Sequence, residues 1–175
     1  MPPLPSWDSL HPLVVHFPIA LLLVAPLLVL ASLIAGTHAR GLAIGAVILM
    51  LLGSAGAVVA VSTGEAAGEL ADQTEQSAPV LHEHEELGEF VRNYFLVMTC
   101  AYILWVGIPW MLQRRRGVAP RQVIIVAGTL VYLVIYGYGA LKVVDTGHLG
   151  GRLVHEFGIR ALLPPTDASP SAPSD

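Results

Sequence analysis

The chain has 175 residues, of which 54% are hydrophobic and only 13% are charged. This composition, with a mean hydropathy of +0.67, excludes an ordinary soluble domain. The formal net charge at pH 7 is −4, and the charges are very unevenly distributed along the chain.

Four apolar stretches account for the high hydropathy, and each is close to the roughly 20 residues that a helix needs to cross a bilayer. They are residues 13–35, 42–61, 94–112 and 123–141. The pattern predicts an all-α fold: a four-transmembrane-helix bundle with helical extensions and a Gly-rich segment capping the outer face. The predicted parts are an N-terminal lead-in (1–12), a membrane domain (13–160) and a disordered tail (161–175).

The first stretch has no positively charged leader and is too long for a signal-peptide core, so we expect a retained helix. Its prolines, Pro18 and Pro26, free backbone carbonyls that neighbouring helices or a kink must accommodate. The second stretch is rich in small residues, and Gly53 and Gly56 predict close helix contacts. It should continue beyond the membrane as a helical extension that carries Glu65 and Glu69.

The third helix should open near Pro79 and begin with a polar segment before it enters the membrane. His82 and His84 would point to opposite faces of this segment. Gly88 lies one turn from His84, which would leave room for a porphyrin plane beside the imidazole. Cys100 is expected to be an apolar packing residue.

Residues 142–158 follow the fourth apolar stretch and contain several glycines, including Gly150 and Gly151. These glycines argue against a long straight helix. We therefore expect a compact segment that folds back over the outer mouth of the bundle.

Orientation follows from the positive-inside rule. The two short loops, residues 36–41 and 113–121, contain five of the nine Lys and Arg residues and no acid. They should be cytoplasmic in a multi-pass protein of the bacterial inner membrane. Both termini, all thirteen acids and six of the seven histidines then lie on the periplasmic side.

Ionisable residues within or just above membrane helices are functional candidates by default, and facing histidines in a bundle can hold a cofactor. The candidate cofactor-binding residues are His11, His16, His84, His148, His155, Gly88, Gly150 and Gly151, and the candidate metal ligands among them are His16, His84, His148 and His155. Carboxylates could hold the second ring nitrogen of a ligating histidine; the candidates are Glu65, Glu69, Glu85 and Asp145. His84 and His148 should lie at one level, whereas His16 matches neither, so the pairing is open.

The segment His11-Pro-Leu-Val-Val-His-Phe-Pro-Ile-Ala-Leu21 resembles the first helix of a family of small bacterial membrane proteins of unknown function. Relatives fused to c-type cytochrome domains carry segments similar to residues 84–88 and 147–155. The resemblance implies a four-helix membrane module that binds one or two b-type haems. Because no Cys-x-x-Cys-His occurs here, we expect the electron partner to be a separate c-type cytochrome or a larger membrane complex.

Two other functions fit the sequence. His82 and His84, beside the carboxylates, could bind zinc, copper or a di-iron centre. The small-residue faces could instead serve a structural subunit of a larger membrane complex. No phosphate loop, nucleophile motif or nucleic-acid signature occurs, so we assign no substrate, and the expected partners are membrane lipid and a redox protein.

Overall fold

A computed structural model describes residues 6–117 and 121–159, and nearly all of them are helical. The elements, in chain order, are a 3-10 helix Trp7–Leu10, α1 His11–Val14, α2 His16–Ser32, a 3-10 helix Gly36–His38, α3 Ala39–Glu69, α4 Ser77–Arg116 and α5 Gln122–His155. Four segments are long and apolar enough to cross a membrane: α1 with α2, and each of α3, α4 and α5. The predicted all-α bundle is confirmed.

The helices run up and down, and each packs against the next along the chain, while α5 also contacts α2. This closes a four-helix bundle around an apolar core. Two glycines of α3 allow α2 to approach closely. A Cβ at Gly53 would lie 2.8 Å from Cγ of Leu22, and one at Gly56 would lie 3.2 Å from Cδ1 of Phe17. The predicted close contacts at both glycines are therefore confirmed.

Three helices are much longer than the membrane is thick. Helices α3, α4 and α5 contain 31, 40 and 34 residues, which corresponds to about 46, 60 and 51 Å. The hydrocarbon layer is about 30 Å. Most of the excess lies at the end that carries Glu65, Glu69 and Glu85, called the acidic end below; the opposite end, with Arg40 and Arg114, is the basic end.

The Gly-rich segment differs from the expectation. Helix α5 continues without interruption through Gly147 and Gly150 to His155, so the predicted fold-back over the mouth is wrong. Each glycine costs a helix about 1 kcal/mol relative to alanine, but burial of Leu149 and Leu153 holds this segment against the bundle. The predicted disordered tail, residues 161–175, lies outside the described residues.

Pro26 lies inside α2 and has no N–H to donate to the carbonyl of Leu22, four residues earlier. The hydroxyl of Tyr136, on α5, donates a hydrogen bond to this carbonyl oxygen at 2.8 Å. Tyr136 is only 1% exposed, so no water competes for the carbonyl. A neighbouring helix therefore satisfies the backbone group that the proline frees, as the sequence predicts.

This arrangement gives a prediction for a double-mutant cycle. Tyr136→Phe should lower the free energy of unfolding by about 1–2 kcal/mol, because it leaves a buried carbonyl unpaired. In a Pro26→Ala background the loss should be much smaller, since the backbone N–H that alanine restores at this position can then bond to the carbonyl of Leu22. Denaturant unfolding in detergent micelles measures both values. An equal loss in the two backgrounds would show that the hydroxyl does not serve the freed carbonyl.

Candidate cofactor site

His11 lies at the acidic end, where α1 packs against α3. Its Nδ1 is 2.8 Å from the carbonyl oxygen of Ala60 and 3.4 Å from Oγ1 of Thr63. A carbonyl oxygen only accepts hydrogen bonds, so Nδ1 carries the proton. In the neutral ring the free lone pair is then on Nε2. A neutral imidazole with a free lone pair is the form of histidine that binds a metal.

The absence of a side chain at Gly64 leaves room for the His11 ring against α3. A Cβ at this position would lie 2.9 Å from Cε1 of His11, a separation that a side chain could not adopt without displacing the ring. Thr63 is fully buried beside it, and its hydroxyl bonds back to the carbonyls of Val59 and Ala60. The surface under the imidazole is therefore made of backbone and one small polar side chain.

His84, on α4, repeats this arrangement against α5. Its Nδ1 is 3.0 Å from the carbonyl oxygen of Thr146, and a Cβ at Gly150 would lie 3.1 Å from Cε1 of His84. In both cases the glycine follows the accepting carbonyl by four residues, that is, by one helical turn. The first hairpin (residues 11–69) and the second hairpin (residues 77–155) thus each present one histidine, with the proton placed on Nδ1.

The two rings meet inside the mouth of the bundle. Their centres are 6.3 Å apart and their planes are perpendicular, at 89°. His84 lies well outside the apolar stretch 94–112. Burial lowers its pKa, partly offset by the hydrogen bond to Thr146, and nearby His11 lowers it further. The arrangement therefore favours two neutral imidazoles.

The other candidate histidines do not join this pair. His16 is exposed at the start of α2, and its Nδ1 donates to the carbonyl of Pro12 at 2.8 Å. His148 and His155 are exposed on α5. His148 lines an open groove of about 420 Å³ between α4 and α5, together with Glu83, Glu86, Leu87, Phe90, Lys142, Asp145 and Leu149. His82 is exposed and faces Glu86 at 3.3 Å.

Comparison with known proteins places the chain in a family. The profile described as predicted membrane protein, DUF2231, matches residues 8–162. The chain belongs to the DUF2231 family. No curated protein and no solved structure matches it. The matched range contains every histidine discussed above, so the paired rings lie within the DUF2231 module itself.

The carboxylates of this DUF2231 chain surround the mouth but do not hold the paired rings; backbone carbonyls hold them instead. Glu65 and Glu69 are exposed on α3, and Asp145 pairs with Lys142 at 2.8 Å. Glu85 is half-buried against Gly68. Burial raises the pKa of Glu85, and its acidic neighbours raise it further, against the opposing effect of His82.

The candidate glycines divide in the same way. Gly150 contacts the His84 ring, whereas a Cβ at Gly151 would meet nothing within 4 Å. A Cβ at Gly88 would lie 3.9 Å from Cγ2 of Val61 and would meet no imidazole within 4 Å. Sequence reasoning missed four residues that seat the rings: Ala60, Thr63, Gly64 and Thr146. The only sequence feature that these residues share is a glycine four residues after the accepting carbonyl. This spacing can be interpreted only when the helix that carries the histidine is known.

Proposed function

We propose that this DUF2231 protein is a membrane subunit that holds a b-type haem between His11 and His84 and passes electrons at the acidic end. The observation that carries the proposal is the pair of neighbouring rings, whose centres are 6.3 Å apart. Each ring comes from a different hairpin and bonds through Nδ1 to a backbone carbonyl.

The distance between the two rings supports a metal ion held by both histidines. Two imidazoles that bound one ion at metal–nitrogen distances of about 2.0–2.1 Å would have ring centres about 6 Å apart. The observed spacing is 6.3 Å. A carbonyl on Nδ1 fixes both the tautomer and the orientation of a ligating histidine, and His11 and His84 each have one.

The number of ligands favours haem over a bare ion. Within residues 6–117 and 121–159, no group of three or more His, Cys, Asp or Glu side chains converges as a metal site. A structural zinc site takes four protein ligands. A porphyrin brings its own equatorial nitrogens, so two axial histidines suffice. When bound, haem would supply one-electron transfer; the protein contributes two held, neutral imidazoles in a water-poor mouth.

The partner would be a separate redox protein, such as a c-type cytochrome, that meets the acidic end. Exposed carboxylates dominate this end, including Glu65, Glu69 and Glu86, and they favour a partner with a basic docking surface. The haem would lie close to that surface, because His11 and His84 are near the outer ends of their helices.

An absorption spectrum of the protein purified in detergent from haem-replete cells tests the proposal. We expect a Soret band and, after dithionite reduction, the sharp visible bands of a low-spin b-type haem. Protein purified without any Soret band would reject the haem. Metal analysis of the same sample would then distinguish a bare metal ion from a purely structural, edge-to-face histidine pair.

The orientation is a separate prediction. A reporter fused after Asp175 should be active only on the periplasmic side, and one inserted at Arg116 only in the cytoplasm, because the two loops of the basic end carry five of the nine Lys and Arg residues and no acid. Alkaline phosphatase and fluorescent-protein fusions measure the two sides independently. The reverse pattern would place the paired histidines, and any electron partner, in the cytoplasm.

A further inference from the structure

Two arginines from different helices converge on one tryptophan at the basic end. Arg40 lies in the first turn of α3, and Arg114 lies in the last turn of α4. Their Cζ atoms lie 5.1 Å and 4.7 Å from the centre of the Trp110 ring. Both distances are within the range of a cation–π contact. The indole thus contacts two guanidinium groups from different helices.

These side chains line an open groove of about 260 Å³. Its lining residues are Arg40, Trp110, Gln113 and Arg114. The groove therefore presents two cations and one carboxamide. The sequence places no counter-charge here, because residues 9–64 and 90–144 contain no Asp or Glu.

Two like charges around one groove repel each other, and a bound anion would offset this repulsion. A phosphate group matches this need, since guanidinium groups bind its oxygens in a bidentate manner. The groove also lies at the right depth. Trp110 is close to the end of the apolar stretch 94–112, where tryptophans mark the membrane–water interface.

Apolar surface continues from the groove toward the membrane interior. Ile44 and Ile48 follow Arg40 by one and two turns of α3, and Ile103 precedes Trp110 by two turns of α4; all three are exposed on the membrane side of the groove. An acyl chain could lie along this face while its headgroup occupies the groove. This continuity favours a lipid over a free anion.

We propose that Arg40, Trp110, Gln113 and Arg114 form a binding site for the phosphodiester headgroup of an anionic phospholipid in the leaflet at the basic end. The recognised chemistry is a phosphate oxyanion. Basic pockets between membrane helices are known places for such headgroups. The site is independent of the histidine pair, which lies at the opposite end of the bundle.

Native mass spectrometry of the delipidated full chain in detergent tests this site. Phosphatidylglycerol is the probe, phosphatidylcholine the zwitterionic comparison, and inorganic phosphate the competitor. We expect phosphatidylglycerol to bind at least tenfold more tightly than phosphatidylcholine, with little displacement by millimolar phosphate. Equal binding of the two lipids would overturn the proposal, and full displacement by phosphate would show a site for a free anion.

The matched variants remove the same charge at different places. The pair Arg40→Gln and Arg114→Gln should weaken phosphatidylglycerol binding about tenfold. The control pair Arg115→Gln and Arg116→Gln, two exposed residues outside the groove, should change it less than twofold. Arg114→Lys keeps the charge but loses the bidentate geometry, so it should give an intermediate loss even if the double variant does not fold. Equal effects of the two pairs would show non-specific attraction to the basic end.

Discussion

Replacing either His11 or His84 with alanine should remove most of the haem from the purified protein. If the pair holds a haem as proposed, each change deletes one of its two ligands, so we expect at least a tenfold lower haem content, or a change from low-spin to high-spin absorption in the fraction that remains. Haem per protein, from the pyridine haemochrome spectrum, and the visible spectrum measure the two effects. His82→Ala is the matched control for His84, because His82 lies on the same helix but is exposed and faces Glu86.

The same experiment separates the paired rings from the other candidate histidines. His16, His148 and His155 are exposed and lie outside the pair, so their alanine variants should keep haem, as should a variant of His38 at the basic end. Loss of haem from one of these variants, with His11→Ala unaffected, would contradict the assignment of the axial ligands. The haem ligands would then have to be sought among the other histidines that the sequence presents.

Gly64→Leu and Gly150→Leu should each lower haem content nearly as much as loss of a histidine. A side chain at either position would occupy the space of an imidazole, since even a Cβ would lie 2.9 Å from His11 or 3.1 Å from His84. Leucine is also a better helix former than glycine. We therefore expect the helices to persist while the rings are displaced.

Gly147→Leu is the control for these glycine variants. Gly147 lies on α5, three residues before Gly150, and a Cβ there would meet nothing within 4 Å. This variant should keep its haem. Circular dichroism and size-exclusion chromatography should show intact helices and a monodisperse protein in all three variants. Equal haem loss at Gly147 would mean that leucine disturbs α5 generally and that ring displacement is not the cause.

Most of the fold could be predicted because hydropathy reports directly on burial in lipid. The four spans, the extension of α3 to Glu69 and the close contacts at Gly53 and Gly56 all follow from local pattern. The continuation of α5 through its glycines could not be predicted. Intrinsic helix propensity disfavours it, and the compensating contacts, such as Gly150 with His84, come from another helix.

The site was only partly predictable for the same reason. His11 and His84 stand out in the sequence as ionisable residues near span ends, but their pairing depends on how far each helix extends above the membrane. The groups that hold them are backbone carbonyls of Ala60 and Thr146. Every residue has a backbone carbonyl, so the sequence does not show which carbonyl accepts a hydrogen bond from a histidine. The sequence therefore suggested carboxylates as acceptors for Nδ1, whereas the main chain provides them.

Because one imidazole belongs to each hairpin, a ligand bound to both would link cofactor binding to the association of the two halves of the bundle. Any molecule that binds only the assembled state stabilises it, by about 2.7 kcal/mol at a free concentration of 100 times Kd. A ligand bound to both histidines would then hold the two hairpins together. Loss of the ligand would loosen the contact between α3 and α4, and cellular haem supply would set how long the folded subunit persists in the membrane.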